Sequence, residues 1–99
     1  MSRAAIRFGL AAVAETREAR RWYGKESASA AEGFVAELQR SLELISEAPL
    51  RWPAYEADTR RLVMRRYPYA VIYRVMDLTI QVVAVAHTSR RPGYWSNRR

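Results

Sequence analysis

The spacing of apolar residues changes period along the chain, and each change marks an element. Ile6 and Phe8 flank Arg7, an alternation that puts the two apolar side chains on one face and predicts a short strand within residues 3–9. From Leu10 to Lys25 the period becomes helical. Ala12, Ala19, Trp22 and Tyr23 fall near one stripe, Arg17, Arg20 and Arg21 lie largely off it, and Gly24 stands where such a helix should fray. A second helix is more strongly patterned: Ala31, Phe34, Val35, Leu38, Leu42 and Ile45 recur at helical spacing. Ser29 and Glu32 fit a capping box at its start, and Pro49 ends it. The short link at Glu26–Ala28 implies an antiparallel helix hairpin. Residues 50–58 read as a connector whose aromatics, Trp52 and Tyr55, are expected to pack under the helices.

From Thr59 onward the period falls to two. Leu62 and Met64 alternate with Arg61 and Arg65, and Pro68 interrupts, so Tyr67-Pro68-Tyr69 is a turn or bulge. Tyr69–Val75 and Ile80–His87 read as strands joined by a hairpin turn at Met76–Thr79, which lacks the glycine of the strongest turn signals. The last strand is apolar on both faces, so it should be central in its sheet and covered on both sides. The helices can cover one side; the tail or a partner must cover the other. The order β-α-α-β-β-β predicts a two-layer α+β fold, with the helix hairpin on a mainly antiparallel sheet, as one domain over residues 1–99.

Charge adds direction to this picture. The net charge is +7, and it is segregated: residues 1–58 hold eight Lys/Arg against nine Asp/Glu, whereas residues 59–99 hold nine Arg against Asp77 alone. A field of that kind attracts nucleic acid, an acidic protein segment or an acidic membrane surface. No apolar run is long enough to cross a bilayer, and charge breaks up the first residues too much for a signal peptide. The absence of cysteine excludes disulfides and thiolate metal sites and fits a cytoplasmic location. His87 is the single histidine, so a multi-histidine metal site is excluded, and neither metal nor cofactor is implied.

Several segments, in order, resemble the RelE/ParE toxin superfamily over nearly the whole chain. They are Ala19…Trp22-Tyr23, then Phe34…Leu38…Leu42…Ile45…Pro49, Trp52-Pro53, and Arg60-Arg61 entering the sheet. Tyr67-Pro68-Tyr69-Ala70-Val71-Ile72-Tyr73 is similar to the family's FPY-type strand. Ala84-Val85-Ala86-His87-Thr88-Ser89-Arg90-Arg91-Pro92-Gly93-Tyr94-Trp95 is similar to the close of many plasmid-stabilisation-type members. The resemblance implies the toxin of a type II toxin–antitoxin system, held inactive by a partly disordered antitoxin that wraps it. RelE-like members are ribosome-dependent messenger RNA endoribonucleases; ParE-like members poison DNA gyrase and are not nucleases.

Ribonucleolysis needs an activated 2′-hydroxyl, stabilisation of phosphate charge and a proton for the leaving oxygen. Ala70 stands where ribonuclease members often carry Arg, the preceding strand offers Arg61 and Arg65 but no Lys, and an arginine is no base. The preferred reading is therefore a non-enzymatic, ParE-like gyrase inhibitor. The alternative is a RelE-like ribonuclease using His87, Arg90 and Tyr94; a third reading is a non-toxic, basic nucleic-acid-binding accessory domain. His87 can be either a hydrogen-bonded structural residue or a site residue. Tyr94 and Trp95 can either cover the open sheet face or join a binding surface. Arg60, Arg61, Arg65, Arg66, Arg74, Arg90 and Arg91, with Tyr94 and Trp95, are the expected contacts for an acidic antitoxin or a nucleic-acid-bound target, through alignment of several Arg on one side of the sheet. The antitoxin is expected to dock as an amphipathic helix or an added strand, forming a hetero-oligomer.

Overall fold

The computed structural model describes residues 4–98. Along the chain, strand β1 (Ala5–Phe8) leads into helices α1 (Leu10–Glu26) and α2 (Ala28–Glu47), and then into β2 (Ala54–Tyr55), β3 (Thr59–Val63), β4 (Tyr69–Met76) and β5 (Thr79–His87). The strands form one sheet in the order β1-β5-β4-β3-β2, antiparallel except for the β1–β5 pair. The α+β arrangement anticipated from the period changes is present, with the two-residue strand β2 added within the connector.

Local chemistry moves two boundaries. The N-cap of α2 is Ser27, whose Oγ accepts the Ala30 N–H at 2.9 Å, rather than Ser29. Helix α1 runs through Gly24 to Glu26, so a single residue separates the helices. One serine suffices because its extended backbone ends one helix, donating its N–H to Tyr23 O, while its side chain starts the next. Asp77 supplies the left-handed residue of the β4–β5 turn (φ 55°) in place of glycine.

The sheet separates two apolar layers. On the helix side Phe34, Leu38, Ile45, Ala12 and Ala19 pack on Val71, Tyr73, Ile80, Val82 and Val85. On the other side Ala70, Ile72, Val83, Ala84 and Ala86 lie beneath Trp95, which is 2% exposed and stacked on Tyr55 at 5.4 Å between centroids. The tail is thus the second cover that β5 requires. Trp52 packs on the helix side as expected, whereas Tyr55 crosses to the tail side.

An irregularity in β5 makes both layers possible. Ile72 pairs with Ala84 but Tyr73 pairs with Val82, leaving Val83 as an extra residue. Strict alternation would put Ala84 and Ala86 on the face of Ile80 and Val82. The bulge shifts the phase, so Val85 joins the helix-side core and the two small alanines make room for the Trp95 ring.

Candidate functional site

β1 pairs with β5 only from Thr79 to Val82, and beyond that point the edge of β5 faces α1. Glu15 of α1 reaches this edge. Its Oε1 accepts the Val85 N–H at 3.0 Å. Tyr94 donates its hydroxyl to Oε2 at 2.6 Å, and Arg98 donates from Nη1 and Nη2 to the two oxygens, each at 3.0 Å. Arg98 also donates to Val83 O, a carbonyl at the bulge, at 3.1 Å. One carboxylate therefore fastens the tail to the sheet edge and satisfies a strand N–H that no strand reaches. Burial, then the bond to Glu15, pushes the Tyr94 hydroxyl far above the usual tyrosine range. The same bond to Glu15 raises the Arg98 guanidinium.

Beside this lock lies an open cleft of about 440 Å³, lined among others by Glu18, Trp22, Tyr69, His87, Arg90 and Tyr94. It brings together the three residues named for ribonuclease chemistry, but in states poorly suited to it. His87 Nδ1 accepts the Ser89 N–H at 3.0 Å and lies 2.8 Å from Ser89 Oγ. A backbone donor at Nδ1 puts the proton of the neutral ring on Nε2, so the outer nitrogen presents no lone pair. The Tyr94 hydroxyl is committed to Glu15. The Arg90 guanidinium lies over the Tyr94 ring, 3.9 Å from its centroid. Tyr69 is raised by burial and by the nearby Glu18 and Glu15 carboxylates.

The arginines expected on one side of the sheet are divided among several places. Arg60 is turned inward and donates to Trp52 O at 2.7 Å and Leu50 O at 3.1 Å, bracing the connector. Arg61 lies over the Tyr55 ring, 4.2 Å from its centroid. Arg65 and Arg66 sit in the bend after β3, where both backbone N–H groups are accepted by the Glu37 carboxylate, leaving their side chains exposed. Arg74 is at the far end of β4 and donates to Arg98 O at 3.1 Å. Arg91 is exposed in the tail. Trp95, counted among the expected contacts, is core.

A second concavity, about 690 Å³, runs between α2 and β3. Gly33, Ala36, Arg40 and Leu44 form one wall, and Leu62, Val63 and Arg65 lie along the other. Because β2 covers only Thr59 and Arg60, the outer edge of β3 is open from Leu62 onward, and Val63 is exposed there. The floor is small because Gly33 meets the Tyr67 hydroxyl, which donates to Ala30 O at 2.8 Å; a Cβ at position 33 would collide with that oxygen.

Sequence reasoning passed over Glu15 and Glu37. A signal for the first was present: Glu15 lies three residues after Ala12 and four before Ala19, on the stripe that is buried. An acid there must find donors. Among the described residues no group of His, Cys, Asp or Glu could hold a metal ion, and no helix is long and apolar enough to cross a membrane.

A model of the family described as "ParE toxin of type II toxin-antitoxin system, parDE" matches residues 6–92. Among solved structures, a chain of the "Chromosomal ParDE TA system from P. aeruginosa" is similar, with a TM-score of 0.75 at 16% identity, covering 85% of this chain and 95% of that one. Comparison with curated protein sequences gives no match.

Proposed function

Since the chain belongs to the ParE toxin family of type II toxin–antitoxin systems, we propose that it is a growth-inhibiting toxin that binds DNA gyrase without catalysing a reaction, and that an acidic antitoxin neutralises it. One observation carries the non-enzymatic reading: none of the three residues named for ribonuclease chemistry, His87, Arg90 and Tyr94, stands in this cleft as a free base. The Nδ1 lone pair of His87 faces Ser89, the Tyr94 hydroxyl is donated to Glu15, and arginine does not deprotonate. None of these three would take the proton from a 2′-hydroxyl bound there.

The antitoxin fits the groove between α2 and β3. The open edge of β3 accepts an added strand, the apolar wall takes alternate side chains, and the exposed Arg65, Arg66 and Arg40 attract carboxylates. Binding at this rim weakens as salt rises.

Induced expression of the chain tests the reading. Filamentation with DNA damage, and inhibition of supercoiling by purified gyrase, are the expected results, and His87→Ala retains both. Codon-bounded messenger RNA cleavage that disappears in His87→Ala would refute it.

A further inference from the structure

The outer face of the sheet is covered over only part of its length. Trp95 and Tyr55 close the part nearest the end of β5, and the part toward the β4–β5 hairpin is open. There the register places Arg7 of β1, Gln81 of β5 and Arg74 of β4 in one row across three strands. Residues paired in register share a face, and Ile6, Ile80 and Tyr73 beside them point to the helices, so this row points away from them. The neighbouring row is Ala5, Thr79 and Met76. Apart from Ala5, these two rows, with Phe8 and Arg98, border an open concavity of about 560 Å³.

Three features distinguish this place from an ordinary solvated face. First, no residue lining it is acidic, and neither Arg7 nor Arg74 has a carboxylate partner among the described residues. Second, Arg74 is oriented in advance by its bond to the Arg98 carbonyl, while the charge of Arg98 is already balanced by Glu15. Third, apolar surface adjoins the cations: Met76 is 53% and Leu78 86% exposed.

We propose that this row is a docking site for an extended, acidic segment of a partner protein, with carboxylates on Arg7 and Arg74 and an apolar side chain on Met76 and Leu78. The site is separate from the α2–β3 groove and does not depend on the gyrase reading. The two arginines stand on strands either side of β5, about 10 Å apart, between the same-face spacings of an extended chain, about 7 Å for i,i+2 and about 13 Å for i,i+4, a difference their long stems can span. A nucleic-acid backbone matches the charges but has nothing to cover Met76 and Leu78, and the one aromatic lining the concavity, Phe8, is half-buried against the helix-side core rather than presented for a base to stack on.

The test uses the full chain and a fluorescein-labelled peptide of repeating Glu-Gly-Glu-Gly-Leu-Gly, whose charged and apolar side chains share one face when extended, followed by fluorescence anisotropy. Replacing both cations (Arg7→Gln with Arg74→Gln) weakens binding about fivefold or more, as expected for two rim pairs lost together. A control with the same net charge, Arg17→Gln with Arg20→Gln on α1, changes it less than about twofold, because those charges lie off the row. Leu78→Ser also weakens the peptide but not inorganic phosphate. Equal losses in the row and control variants would mean attraction to net charge alone and would overturn the proposal. So would tighter row-dependent binding of a single-stranded oligonucleotide than of the peptide. Thermal melting of each variant confirms that the fold is retained; if Arg74→Gln unfolds the chain, Arg7→Gln alone, on an exposed side chain, carries the comparison.

Discussion

Replacing Glu15 by alanine measures how firmly the tail is fastened to the sheet. The change removes the acceptor of four bonds, from Val85 N–H, Tyr94 Oη and both terminal nitrogens of Arg98. It leaves a strand amide, a hydroxyl and a guanidinium without their partner. Breaking a fully buried ion pair costs about 3–5 kcal/mol. Here the side chains of Arg98 and Glu15 retain 25% and 17% exposure, so water reaches the orphaned groups and the cost falls to about 2–3 kcal/mol. For a domain of this size, that lowers Tm by about 10–20 °C. Calorimetry of Glu15→Ala beside Glu18→Ala makes the comparison, since Glu18 is exposed one helical turn away and its loss should cost under about 0.5 kcal/mol. A double-mutant cycle with Arg98→Met isolates the pair, with an expected coupling of about 1–2 kcal/mol. Glu15→Ala melting within a degree or two of Glu18→Ala, or zero coupling to Arg98, would refute the lock.

Other consequences are open to direct measurement. Tyr73 is buried, donates its hydroxyl to Pro49 O at 2.6 Å, and is pushed up by burial to about 12 from the usual 10. Both states are protonated below about pH 10, so its contribution is intact there; stability then falls between about pH 10 and 12 as the unfolded chain ionises first. Denaturation midpoints across that range should show the fall, and Tyr73→Phe should make it shallower, leaving the part that Tyr94 and the other raised tyrosines contribute. Gly33→Ala should destabilise by about 1–3 kcal/mol through collision with the Tyr67 hydroxyl, and much less in a Tyr67→Phe background, where the offending oxygen is gone; equal costs in both backgrounds would exclude that contact as the cause. Ala57 and Asp58 both adopt left-handed φ, at 57° and 59°, in the turn between β2 and β3. Ala57→Gly should therefore stabilise by about 0.5–1 kcal/mol in urea denaturation, despite the added chain entropy.

The elements were readable because their signals are local. Helix α2 announces itself through Phe34, Leu38, Leu42 and Ile45, and its end through Pro49, whatever the rest of the chain does. The cap was misplaced by two residues because serines stand at both 27 and 29. Which one caps depends on where α1 stops, and that is set by packing of the hairpin rather than by the serines. The cationic surface was less readable. Arg60, Arg61, Arg65, Arg66 and Arg74 are near one another in sequence, but guanidinium stems are long and turn toward whichever acceptor or ring the fold provides.

Sequence alone determined the α+β class, the need for two covers on β5 and the excess of positive charge after residue 58, since each follows from residue type and spacing. Tertiary structure decided where those charges act and which residues lock the tail. Glu15 meets Tyr94 and Arg98 across some eighty positions, and the bulge at Val83 turns Ala84 and Ala86 toward Trp95. Contacts between distant segments exist only once the sheet has formed, because no local periodicity encodes which carboxylate a remote cation will find.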